Sequence, residues 1–209
     1  MAHDKDDRKR PQLRLVVDNA EKRTRPAGNE EVSIPLEELI ARRDHFRTEF
    51  YDGMERRQAK AFAALERFLL DRKLPYGLDP HLGKLMVLPA GAVCPEAAEH
   101  EGGQQDEVLI YIADDAGDKG SCLSLEMVLP FYSEDEAVME DALLYSPLFQ
   151  YGALFLEENR QDGFLDLIYR LGFPLYPPAL TTRLIDRLFG AAAFELKETL
   201  RSLAEYPGE

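Results

Sequence analysis

The sequence predicts an α+β fold in which an antiparallel sheet packs against helices. Three observations predict it. The stretch 164–175 alternates: Leu165, Leu167, Tyr169, Leu171 and Phe173 share one apolar face, and Phe164, Asp166, Ile168, Arg170 and Gly172 share the other. That period belongs to a strand covering a core on one side. Two further runs, Glu107–Ala113 and Cys122–Phe131, alternate in the same way. Finally, apolar stripes of helical period stand before and after these runs instead of between each pair, and no strand–helix–strand succession with a phosphate loop occurs.

Charge and cysteine usage narrow the class. The 209 residues carry a net charge of −14. Residues 1–30 hold eight Lys/Arg against six acids, a local +2, which leaves −16 on residues 31–209. An acidic body with a slightly basic, disordered arm is not built for neutralising phosphates, so nucleic acid is not an expected partner. Cys94 and Cys122 sit in no C-x-x-C pair. They read as reduced thiols of a cytoplasmic protein, with one disulfide between them as the alternative. The polar N-terminus is no secretory signal, and the longest uncharged run, near 143–156, contains Pro147 and is too short to span a bilayer.

In chain order, Leu13–Val17 is an apolar patch in the arm, readable as a short edge strand, a docking motif or a stray patch. Residues 31–59 form an N-terminal helical extension. Ser33 and Pro35 suit its start, and a stripe from Leu36 to Met54 is apolar at its ends but broken by Arg43 and Arg47. Gly53 bends or ends it. Residues 60–209 form the α+β domain proper. A helix over 54–73 presents Phe62, Leu65, Phe68 and Leu69 and stops at Pro75. Lys84–Leu88 is a short strand, and Ala90–Gln105 reads as a mobile insertion. Asp114–Ser121 is a hairpin connection; it lacks the ligand spacing of a calcium loop. Ser133 to Glu136 is a capping box. Tyr151–Leu156 and Phe164–Leu175 pair as a hairpin about Asp162-Gly163. Thr181 or Thr182 caps a last helix with a stripe from Leu184 to Leu203.

Chemistry is not written in this pattern. His3, His45, His81 and His100 have no ligand-type partner three or four residues on, and no nucleophile elbow or phosphate loop occurs. No catalytic residue, metal or cofactor is expected. An antiparallel sheet needs only one apolar face, yet Leu109, Tyr111, Val128, Phe164 and Ile168 make the second face apolar as well. These five are the candidate partner-binding residues. Their cover is the 36–54 helix, a second copy of the chain, or a client segment.

The order of elements, together with Leu74-Pro75-Tyr76, Leu129-Pro130-Phe131, Leu148 to Ala153 and Asp162 to Leu171, resembles the type III secretion chaperone-like fold. CesT-type secretion chaperones and YbjN-type sensory transduction regulators share that fold. The resemblance covers about residues 60–204 and leaves out the 31–59 helix and the 90–105 loop. It implies a cytoplasmic homodimer that binds another polypeptide, as chaperone or regulatory adaptor, and performs no chemistry. A client would be held by main-chain pairing and apolar pockets. The competing expectation is an enzyme or small-ligand binder with a pocket between the 54–73 helix and the sheet, using His81, Tyr76 or Asp79.

Overall fold

The alternating runs become the middle of one sheet. The computed structural model describes residues 14–15, 34–81, 85–98, 107–113, 122–132, 136–144, 149–158, 165–174 and 180–204. The elements begin with β1 (Arg14–Leu15), α1 (Leu36–Ala41), α2 (Arg43–Tyr51), α3 (Arg56–Asp71), β2 (Gly77–Asp79) and β3 (Leu85–Pro89). They continue with α4 (Ala90–Val93), α5 (Pro95–Ala98), β4 (Glu107–Ala113), β5 (Cys122–Val128) and β6 (Phe131–Tyr132). The chain closes with α6 (Glu136–Ala142), β7 (Gly152–Glu158), β8 (Leu165–Pro174) and α7 (Thr182–Ala204). Six strands form a sheet in the order β2-β3-β4-β5-β8-β7, each neighbouring pair antiparallel. The fold is α+β, as the sequence predicts.

Register follows the apolar pattern. Met86, Ile110, Leu125 and Leu171 lie in one row across four strands, and Leu88, Val108, Met127, Tyr169 and Leu154 in the next. All are buried, on the face that α3 and α7 cover. A slip of one residue would turn Asp166 and Arg170 into this core, so the alternation fixes the pairing. Phe62, Leu65, Phe68 and Leu69 of α3 and Leu188, Ala192, Leu196 and Leu200 of α7 fill the other side of it. The two helices are antiparallel neighbours: the Phe68 and Phe189 rings are 5.1 Å apart, and Arg72 Nη2 reaches Asp186 Oδ1 at 2.5 Å.

Helix ends use local chemistry. At the start of α7, Thr181 Oγ1 accepts from the Leu184 N–H at 3.2 Å. At the end of α3, Lys73 takes φ 56°. The Leu74 N–H then reaches the Leu69 carbonyl at 2.9 Å and the Lys73 N–H the Leu70 carbonyl at 3.1 Å. That is a Schellman closure with lysine where glycine is usual.

Three local features differ from the sequence reading. The single helix expected over 36–54 is two, broken at Arg42 (φ −104°, ψ 16°), and ends at Tyr51 before Gly53 (φ 70°). The break lets α1 lie on the sheet while α2 turns past its β2 edge. Residues 90–98 of the expected mobile insertion are two helical turns, with Ala90, Val93, Cys94 and Ala97 buried. Small apolar residues there pack against α7, so Pro and Gly mark turns within a packed segment. Strand β2 was hidden in a three-residue stretch too short to show a period. The Leu13–Val17 patch, by contrast, takes the first of its three readings: it supplies the short strand β1, which pairs with β6 (Arg14↔Tyr132, Leu15↔Phe131). Phe164, the 159–164 turn, the Ser133 cap, the 114–121 loop, His3 and His100 lie outside the described residues.

Helices α1 and α2 approach the sheet very closely. A Cβ on Gly77 would stand 2.5 Å from Leu39 Cβ, so β2 needs glycine there for α1 to seat. Leu36, Leu39 and Phe46 then bury against Val87, with Ile34, Ile40 and Leu109 around them.

Candidate functional site: the outer face of the sheet

Helices α1 and α2 cover part of the outer face of the sheet, which is apolar in some rows and charged in others. Leu109 packs against the cluster formed by these helices and Val87. Beyond it, β4, β5, β8 and β7 present two adjoining rows. Val128, Ile168 and Phe155 are in register across three strands. Ile168, in the centre, is only 7% exposed, whereas Val128 and Phe155 on its flanks are 42% and 40% exposed.

The neighbouring row is polar. Glu126 and Arg170 are register partners and form an ion pair, and the Tyr111 hydroxyl donates to Glu126. The Arg170 guanidinium also lies 4.7 Å from the Phe155 ring centroid, joining the two rows by a cation–π contact. Burial, and then the Glu126 carboxylate, push the Tyr111 hydroxyl up to about 12. Its proton therefore stays on and keeps the donor in place. Above this row Gly172 leaves a shallow spot, since a Cβ there would meet nothing within 4 Å.

Of the five candidate residues, Val128, Ile168 and Tyr111 stand on this open part of the face, Leu109 lies against the α1–α2 cluster, and Phe164 is outside the described residues. Phe155 joins them. Its signal was available: it alternates with Leu154 and Leu156, which face the core and pack against it, so its own ring must point outward.

Two buried carboxylates hold the scaffold. Glu195 of α7 accepts backbone N–H groups from Gln150 (2.8 Å), Tyr151 (2.9 Å) and Gly152 (2.9 Å), and the Tyr169 hydroxyl at 2.7 Å. It ties the start of β7 to α7 and β8. Glu66 of α3 accepts from Arg47 (2.7 Å), Tyr51 (2.5 Å) and Tyr76 (2.9 Å), tying α2 to α3 and to the entry of β2. Arg43, the other arginine in the broken stripe, stands over the Tyr76 ring at 4.6 Å.

The alternative site residues are occupied in this framework. Tyr76 is buried with its hydroxyl on Glu66, Asp79 is buried and accepts the His81 N–H at 2.8 Å, and the His81 side chain is exposed. Among the described residues no cluster of three or more His, Cys, Asp or Glu could hold a metal, and no helix is long and apolar enough to cross a membrane. Cys94 and Cys122 are both free thiols. Burial raises the Cys94 pKa, which keeps that thiol protonated and unreactive.

The tyrosines give this arrangement a pH signature. Burial, and then hydrogen bonding to Glu66 or Glu195, raises Tyr51, Tyr76 and Tyr169 above the ordinary phenol value, as burial and Glu126 raise Tyr111. A raised folded-state pKa means that the folded protein holds protons the unfolded chain releases near pH ~10. Stability should be intact below that pH and fall as pH rises above it. An absorbance titration of the phenolates should show these four of the nine tyrosines ionising together with the loss of near-ultraviolet circular dichroism. Independent titration of all nine before unfolding would contradict the arrangement.

No protein-family model matches this chain, and no curated protein matches it. Among solved structures, it is similar to YbjN from E. coli, a candidate transcription regulator. The TM-score is 0.46 at 12% identity, over 67% of this chain and 89% of that one. At that level the likeness concerns the fold alone.

Proposed function

We propose that this chain is a non-enzymatic polypeptide-binding module, acting as a regulatory adaptor or chaperone, whose contact surface is the outer sheet face over β5, β8 and β7. One observation carries the reading: α1 and α2 cover the β2–β4 side of an apolar second face and stop short of Val128, Ile168 and Phe155. The open row offers apolar area, and the adjoining Glu126–Arg170 pair is already neutralised internally. A partner chain covering this row leaves neither ion of that pair without its counter-charge, while Glu157 and Asp166, register partners on the same face, border the row on its other side. The acidic composition accords with a protein partner better than with nucleic acid. Self-association through the same face is the dimeric form of this reading.

Val128→Asp and Phe155→Asp are the informative variants, because both side chains are exposed. Ile168→Asp or Tyr111→Asp would disturb a buried position or the bond to Glu126 as well. The expected result is an unchanged melting temperature with loss of self-association by light scattering, and loss of captured polypeptides. Variants that fold and keep both properties would exclude this face.

A further inference from the structure

The opposite layer of the molecule carries charge of the wrong sign for an acidic protein. On α3, Arg56, Lys60, Ala63, Arg67 and Leu70 follow one another at alternating spacings of four and three residues, and all are exposed. On α7, Arg183, Arg187, Gly190 and Phe194 repeat that spacing and are likewise exposed. These stripes lie on antiparallel neighbouring helices. Arg56, Lys60, Arg67, Arg183 and Arg187 have no ion-pair partner among the described residues, in a chain with 39 acids and 25 lysines and arginines. Acids were available in excess to neutralise them. Arg183 beside Arg187 and Arg56 beside Lys60, one helical turn apart, are also locally unfavourable for the helices.

Apolar side chains stand among the cations. Phe194 is 66% exposed, and Leu70 and Leu184 are also exposed. Gly190 leaves open space midway along its stripe. We infer that the α3–α7 outer surface docks an acidic amphipathic polypeptide segment, its carboxylates meeting the five unpaired cations and its apolar residues covering Phe194, Leu70 and Leu184.

Charge complementarity selects this occupant. A second copy docked layer to layer would set cation against cation. A long duplex or an anionic bilayer reaches well past the stripes and meets the field of a chain with net charge −14. A short segment confined to a strip about 35 Å long, the length of α7, feels mainly the cations within a Debye length of about 8–10 Å. Interspersed carboxylates and apolar side chains answer both features of the surface, as in helix-in-groove recognition.

The test uses the full chain and three probes: a fluorescein-labelled peptide of Glu and Leu/Phe at helical spacing, a short DNA duplex, and phosphatidylserine vesicles. The peptide should bind most tightly, and its affinity should fall with rising salt. Arg183→Glu/Arg187→Glu, and separately Arg56→Glu/Arg67→Glu, should each weaken it about tenfold or more, with Phe194→Ser giving a several-fold loss. These side chains are exposed, so melting temperatures should hold. Val128→Asp, on the opposite face, should leave peptide affinity unchanged, which separates this inference from the sheet-face reading. Unchanged peptide affinity in both charge-reversal variants, or tighter binding of the duplex or the vesicles, would overturn it.

Discussion

Replacing Glu195 by alanine should cost about 3–5 kcal/mol of folding stability, the range for stripping the partner from a buried, hydrogen-bonded charged site. The carboxylate is 5% exposed and receives four donors, three of them consecutive backbone N–H groups. Removing it orphans those donors and the Tyr169 hydroxyl together. Close packing leaves no simple repair, because Tyr169 rests on Gly152: a Cβ at that glycine would stand 2.4 Å from the ring. Glu195→Gln should rescue only part of the loss: its oxygen can keep the Gln150 and Tyr151 N–H groups and the Tyr169 hydroxyl can turn to accept, but its amide N–H then faces the Gly152 N–H, donor against donor. Tyr169→Phe removes one bond and should cost only about 1 kcal/mol. Urea unfolding gives the three values, and amide exchange should show β7 opening first in the alanine variant. If Glu195→Gln proves as stable as the native chain, the four-donor account is wrong and Glu195 acts only by filling space.

How far the sequence reaches toward such features depends on the physical scale of the signal. The strands β4, β5 and β8 were legible because seven or more residues of period two cannot satisfy two registers. Helices α3 and α7 were legible by their stripes. The outer row was legible in part: Val128 and Ile168 follow from alternation, but that α1 would shield Leu109 depends on Gly77, whose role is visible only once Leu39 is above it. Glu195 and Glu66 were not singled out, although traces exist. Tyr169 on a wholly apolar strand face must bring its hydroxyl to an acceptor. Arg43 and Arg47 interrupt an apolar stripe, and both turn toward the Glu66–Tyr76 pair. A polar residue on a core face signals that a partner exists; which residue it is depends on long-range packing. The 90–98 segment failed for the opposite reason, because composition marks turns without telling a packed loop from an open one.

Glu66→Leu should release the N-terminal helices from the sheet, at a cost of about 2–4 kcal/mol. Leucine has a similar volume, so the loss is polar. Tyr76, fully buried, would keep a hydroxyl with no acceptor, while Arg47 and Tyr51 can turn toward water. Losing this clamp loosens α2, which keeps Phe50 against Phe62 and Phe46 beside Val87, while α1 holds to Val87 and Leu109 through Leu36 and Leu39. The apolar second face would open from the β2 edge, adding area beside Val128 and Phe155. Dye binding to exposed apolar surface and faster amide exchange in α1 and α2 should therefore precede global unfolding. Gly77→Ala attacks the same seating from the other side by forcing Leu39 away. If α1 and α2 detach as one unit, the double variant should cost less than the two single costs combined, because the second change finds the helices already released. Strict additivity, or dye binding that appears only with the main transition, would mean that α1 and α2 leave the sheet only when the whole core melts.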